Sequence, residues 1–154
     1  ALKVLVTVLG GYFGSRLMSN IREEKGYTYG INASIASFPF QGYLAIGTET
    51  DNEYVEPCIR EVKYEMRRLQ EELIPEQELS MVKNYMIGEM CRNYEDPFSL
   101  SDAWIFVKTA GLENNFFQTL AEKIRRVKAE ELRDLAFRYF QSENMIEVVA
   151  GKKM

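Results

Sequence analysis

Between Tyr29 and Leu73 the spacing of apolar residues changes once, from every second position to every third or fourth. That change dictates which layers the chain can build. Tyr29, Ile31, Ala33 and Ile35 alternate with Gly30, Asn32 and Ser34, the pattern of a strand with one buried face. The breakers Phe38-Pro39-Phe40-Gln41-Gly42 lead into a second strand, Tyr43 to Thr48, so an antiparallel hairpin is expected. Val55, Ile59, Val62, Met66, Leu69 and Leu73 then mark one face of a long helix.

The remaining pattern is mostly helical. Pro75 with Glu76 and Glu78 makes a good helix start, because proline tolerates the first turn and acidic groups favour its positive end. Leu79, Val82, Met86 and Met90 turn that helix inward. Residues Pro97 to Ala110 are expected to be helical with Trp104 as an aromatic anchor. Phe117, Leu120, Ile124 and Val127 form another stripe, and Leu132, Leu135, Ala136 and Tyr139 a further one. Met145 to Ala150 is expected to return as a last strand. Ser15 to Lys25 suits a short helix with Leu17, Met18 and Ile21 on one face, closed by Gly26. Leu2 to Leu9 fits both a strand and a helical stripe, and Gly10-Gly11 ends it either way. Thr50 and Glu53 have the spacing of a capping box, with Pro57 delaying regular bonding. Two strands, a run of helices and a returning strand point to an α+β fold, a mainly antiparallel sheet with helices packed on one face. At 154 residues the chain is expected to be a single domain, 1–154.

Several function classes drop out on composition. The chain has no histidine, which removes imidazole acid–base catalysis, histidine-ligated zinc and Ser-His or Cys-His pairs from its own repertoire. A net charge of -4 argues against nucleic acid as a partner, since binding to phosphate needs an excess of Lys and Arg along one face. The longest apolar run, Val4 to Leu9, is too short to span a membrane. Cys58 and Cys91 match no metal-ligand spacing and read as reduced, buried thiols. Gly10, Gly11 and Gly14 are not followed by Lys-Ser/Thr, so they read as turn and close-packing positions rather than a phosphate cradle.

The stretch Leu9-Gly10-Gly11-Tyr12-Phe13-Gly14-Ser15-Arg16-Leu17, followed by Ile21-Arg22-Glu23-Glu24-Lys25-Gly26-Tyr27-Thr28-Tyr29, resembles the signature of the M16 metallopeptidases, the pitrilysin, insulinase and mitochondrial processing peptidase type. Glycines precede a Ser-Arg-Leu helix, an Arg closes it, a Gly breaks the chain, and a Tyr follows that Arg by seven residues. The order of hairpin, long helices and terminal strand is similar too. The resemblance implies a LuxS/metallopeptidase-like domain in which residues 1 to 9 end a helix. Members enclose a chamber between two homologous halves, one holding zinc (Zn) through His-x-x-Glu-His and the other free of metal. Lacking histidine, this chain corresponds to the second half, the C-terminal, non-zinc-binding domain of a longer two-domain chain. The family domain opens with a strand ahead of its first helix. This chain is therefore expected to lack that strand, to expose a sheet edge and to self-associate, for example as a homodimer.

The resemblance further assigns Arg22 and Tyr29 to the substrate, as groups that contact the peptide backbone near the scissile bond. The chemistry suits them. Peptide hydrolysis builds negative charge on the carbonyl oxygen, where a fixed phenol donor stabilises the transition state, and arginine offers a planar fork of permanent charge. Tyr27 competes with Tyr29, but the seven-residue spacing favours Tyr29. The plain readings are a solvated helix-end cation for Arg22 and a packed strand aromatic for Tyr29. Arg16 is expected to bond nearby carbonyls, and Glu56-Arg60, Glu122-Arg126 and Asp134-Arg138 to form solvated helix-surface pairs. Lys128 stands where the last long helix often takes a hydroxyl cap. The function so implied is the substrate-binding half of a zinc metalloendopeptidase, inactive alone. Its partners would be an N-terminal zinc-binding domain or subunit and a peptide substrate, with a cytoplasmic location. The alternative is a non-peptidase core subunit related to these enzymes.

Overall fold

The computed structural model describes residues 1–38 and 40–152, so Pro39 of the hairpin breaker lies outside them. Its first helix, α1 (Leu2–Gly10), is buried from Val4 through Gly10 without interruption. A helix apolar on every side has to be covered on every side. Here β1 (Thr28–Ser37) lies against it, together with α3 (Glu76–Arg92), α6 (Ala129–Tyr139) and, less closely, α2 (Val55–Glu71). The helical reading of residues 2–9 is therefore the one the fold adopts. Leu5, Leu9, Leu17, Ile21, Leu69, Leu132 and Phe140 are among the most completely buried side chains and belong to one continuous core. Burying each contributes roughly 1.5–3 kcal/mol.

The hairpin pairs β1 with β2 (Gly42–Thr50) antiparallel, with Ala33 opposite Ile46 and Ile35 opposite Leu44. Ile31 and Ala33 are buried, and Ile35, Leu44 and Ile46 pack partly against the core, while Asn32 and Ser34 face away. Gly10 determines how closely α1 meets this sheet. A β-carbon there would lie 2.8 Å from both the Cβ and the backbone N of Ala33.

Helices α2, α3, α5 (Phe116–Arg126) and α6 follow the predicted stripes. The expected Thr50–Glu53 box does not form. A 3-10 turn, Asn52–Tyr54, precedes α2, and Thr50 Oγ1 donates to the Tyr27 carbonyl instead. Helix α4 (Pro97–Thr109) is capped by Asp96, which accepts from the amides of Phe98 and Ser99 at 2.9 and 3.0 Å. It buries only Ala103 and Val107. Trp104 is thus no anchor: it is 48% exposed, with the Lys108 ammonium 4.6 Å from its ring centre. As Lys128 suggested, α6 starts without a side-chain cap.

Three further expectations are corrected. Met145 to Ala150 joins no ladder, so the described sheet has two strands. Cys58 is buried and burial pushes its thiol up, but Cys91 is exposed. Of the three surface pairs only Glu122–Arg126 forms among the described residues, at 3.6 Å, and the Arg138 guanidinium lies over the Tyr139 ring instead.

Replacing Gly10 with valine should destabilise the fold by about 1–3 kcal/mol, the cost of forcing bulk into a closed contact. A urea unfolding midpoint equal to that of the unmodified chain would show that α1 does not approach β1 this closely.

Candidate functional site

Arg22 lies in a segment wound more loosely than an α-helix. Residues Met18–Glu24 form a π turn, in which the Lys25 amide reaches back five residues to the Asn20 carbonyl at 3.1 Å. Such turns are uncommon and tend to occur where a side chain must be re-aimed. Leu17, Met18 and Ile21 face the core as the stripe required, and the wide turn brings Asn20 inside as well. Gly26 ends the segment at φ +66°, letting the Tyr27 amide close on the Ile21 carbonyl at 3.0 Å. A β-carbon at Gly26 would touch nothing within 4 Å, so the left-handed backbone, rather than space, calls for glycine.

The buried Asn20 holds this segment to α2. Its Nδ2 donates to Glu65 Oε1 at 2.7 Å and to Glu61 Oε2 at 3.1 Å, while its Oδ1 accepts from Lys25 Nζ at 2.9 Å. Lys25 also pairs with Glu61 at 3.2 Å, and Arg68 lies 3.3 Å from Glu65, whose side chain is 2% exposed. Burial opposes the Lys25 ammonium, but its bond to Glu61 together with the charges of Glu61 and Glu24 outweighs that and keeps it above the usual lysine range. An asparagine set between Met18 and Ile21 on an apolar face is the one signal of this anchor in the sequence. Arg16 is structural, as expected, but its partner is a carboxylate. Nε and Nη2 grip Glu78 at 2.9 and 3.0 Å, tying the start of the segment to α3.

Tyr29 owes its position to an irregularity in β1. Thr28 is opposite Thr50 and Ile31 opposite Thr48, so Tyr29 and Gly30 together face Glu49. This bulge breaks the alternation that would have set Tyr29 on the buried face with Ile31. The side chain is instead 100% exposed. Two threonines hold the bulge. Thr28 Oγ1 accepts from the Gly30 amide at 3.1 Å and bonds the Glu49 carbonyl at 2.6 Å; Thr48 Oγ1 reaches the Gly30 carbonyl at 2.9 Å. The Ile31 amide donates to the Met18 sulfur at 3.5 Å, joining the bulge to the π segment.

These two irregular segments line a single open concavity of about 840 Å³. Arg22 and Tyr29 both contribute to its wall, with Tyr27, Thr50 and Tyr54. Arg22 is one-third exposed, its guanidinium 4.6 Å from the Phe13 ring centre and 4.0 Å from Glu23. The ring contact engages the guanidinium face rather than its N–H groups, so apart from the 4.0 Å approach of Glu23 these can meet a ligand. Tyr27 is half-buried and stacks on Tyr54 with ring centres 4.9 Å apart. It is thereby committed to the wall, whereas Tyr29 projects. Among the described residues no group of three or more His, Cys, Asp or Glu side chains is arranged to hold a metal ion.

The family model for the peptidase M16 inactive domain matches residues 1–86, a span that contains the π segment, the bulge and the concavity. The chain belongs to the M16 inactive-domain family. This M16 domain is 31% identical over 157 residues to the Helicobacter pylori protein called non-peptidase homolog YmxG, covering 98% of this chain and 35% of that protein. It is 30% identical over 92 residues to the uncharacterized zinc protease YmxG of Bacillus subtilis, covering 60% and 22%. The chain thus spans about a third or less of the curated relatives it matches. Among solved structures, the peptidase M16 inactive domain from Pseudomonas fluorescens aligns at a TM-score of 0.83 and 20% identity, over 98% of this chain and 37% of that one. A protease from Helicobacter pylori aligns at 0.78 and 17% identity, over 92% and 34%. At such identities the two structures show the fold alone. In this M16 domain no helix is long and apolar enough to cross a membrane, among the described residues.

Two measurements check this geometry. Replacing Asn20 with leucine leaves the Glu65 carboxylate short of a donor and should cost about 1–3 kcal/mol in chemical denaturation; no loss would mean the network does not anchor the segment. The adjacent Glu53 carboxylate disfavours the Tyr54 phenolate and raises its pKa. The Tyr54 ring should accordingly titrate above the ordinary tyrosine range by NMR, and Glu53→Gln should bring it down. Equal titration in the two proteins would contradict that proximity.

Proposed function

We propose that this chain is the substrate-holding half of a zinc metalloendopeptidase that cleaves peptides within an enclosed chamber, with Arg22 and Tyr29 touching the bound peptide. The observation that carries the proposal is their convergence: a π turn and a β-bulge, both departures from regular geometry, set a cation and a phenol on the wall of one concavity. Irregularities of this kind cost stability relative to an unbroken helix and strand, and they recur where a side chain has work to do outside the core.

In this reading the Tyr29 hydroxyl donates a hydrogen bond to a peptide carbonyl oxygen as negative charge develops there. The preference for the transition state over the ground state is what accelerates the reaction. Arg22, braced on Phe13, holds neighbouring carbonyls through its fork of donors without ever losing its charge. The zinc ion, which would supply the Lewis acid and the activated water, belongs to an N-terminal domain or a partner subunit. This chain has no histidine and offers no ligand cluster among its described residues.

The Helicobacter pylori relative's description as a non-peptidase homolog favours a second reading, in which the domain serves as a structural subunit. Peptide cleavage by the full-length protein separates the two. On the first reading Tyr29→Phe lowers kcat by roughly 10²-fold or more, with the fold intact by circular dichroism. An undiminished rate in that variant removes Tyr29 from the chemistry. Absence of a His-x-x-Glu-His motif from the rest of the protein, with no measurable cleavage, establishes the structural reading instead.

A further inference from the structure

Gly30 and Glu49 are the pair that an unbroken ladder between β1 and β2 would join directly. Extending the regular register back from Ile31 opposite Thr48 sets Gly30 opposite Glu49 and Tyr29 opposite Thr50. In an antiparallel pair every second residue turns its amide and carbonyl to the partner strand. Phe38 does so, donating to the Gln41 carbonyl at 2.8 Å, and Gly30 stands an even number of positions before it.

The Thr28 hydroxyl stands between those two groups. It accepts from the Gly30 amide at 3.1 Å and donates to the Glu49 carbonyl at 2.6 Å, while Thr48 Oγ1 approaches it at 2.9 Å as a second donor. One donor and two acceptor sites are all a hydroxyl has, so this one is fully used. A bond from a threonine side chain to the amide two residues on offers the backbone an alternative to the ladder, and here it coincides with the bulge. Thr28 is therefore the residue whose chemistry, and not only whose position, belongs to the irregularity.

We infer that Thr28 is a positioning residue for Tyr29: its hydroxyl bridges Gly30 and Glu49, keeps the bulge open and so holds the phenol on the wall of the concavity. Its effect on activity rests on the proposed contact between Tyr29 and the peptide, whereas its hold on the bulge does not. With the hydroxyl gone, the Glu49 carbonyl is the acceptor within reach of the Gly30 amide. Taking it restores the regular register and turns Tyr29 onto the face that Ile31 and Ala33 present to the core.

Two readouts on the full-length protein test this, and only one of them needs peptide cleavage. Thr28→Val keeps the branched shape and removes the hydroxyl, whereas Thr28→Ser keeps the hydroxyl. Nitration by tetranitromethane, located by tandem mass spectrometry, should label Tyr29 in the unmodified protein, be lost from it in Thr28→Val and return in Thr28→Ser, with the exposed Tyr43 of β2 as internal reference. In peptide cleavage Thr28→Val should lower kcat roughly 10- to 100-fold with KM nearly unchanged. Thr28→Ser should restore the rate, and Thr28→Val should add nothing in a Tyr29→Phe background. Thr48→Val, which removes the donor to the Gly30 carbonyl, should act in the same direction and takes the place of Thr28→Val if that protein does not fold. Tyr29 labelling equal to that of the unmodified protein would overturn the inference, as would a Thr28→Val loss that persists in full on top of Tyr29→Phe. Labelling lost as expected, with Tyr29→Phe cleaving at the full rate, would uphold Thr28 as the holder of the bulge and overturn the catalytic reading of Tyr29 instead.

Discussion

The described fold is organised by the need to keep water off α1 from every direction. A helix with seven consecutive buried residues cannot lie on a surface, so sheet and helices must close around it. Gly10 adds a distance constraint, since the absence of a β-carbon lets the helix end rest directly on Ala33. Once α1 is clamped to β1, the short stretch joining them has to reverse within a fixed span. That stretch carries Arg22 and Gly26 and delivers the chain to Tyr29 at the start of β1.

Its geometry is held by polar groups rather than by apolar packing alone. Asn20 spans two carboxylates of α2 and the Lys25 ammonium, and Arg16 grips Glu78 of α3. Hydrogen bonds of this kind have narrow distance and angle tolerances, and in a low-dielectric setting each unsatisfied group costs more than it would in water. The segment therefore has few alternative positions, which is what a site that must aim two side chains at one concavity requires.

Much of this was legible in the sequence, and the failures have physical causes. The stripes of α2, α3, α5 and α6 and the pairing of the hairpin could be read because a half-buried element must repeat its apolar residues with its own period. The first residues, 2–9, fit both periods at once, because burial on all sides removes the contrast between faces, and there only the family resemblance points to a helix. Alternation alone groups Tyr29 with the buried face because it assumes an unbroken ladder, and a bulge shifts register without changing composition. The π turn looks like an ordinary helix in the sequence because its apolar residues still fall on one side. Trp104 is large yet half-exposed, because Ala103 and Val107 are the residues α4 buries. The seven-residue spacing links Arg22 and Tyr29, which line one concavity, but nothing in it shows that both stand on irregular backbone.

The Gly26 reversal, set between the widened turn and the bulge, makes chain length the guarded quantity in this part of the molecule. Each irregularity absorbs one surplus residue, and their sum determines which groups emerge together at the rim. Exchanging one side chain for another between Arg22 and Tyr29 leaves that arithmetic intact. Losing or gaining a single residue there would shift Arg22 and Tyr29 relative to each other along the shared wall.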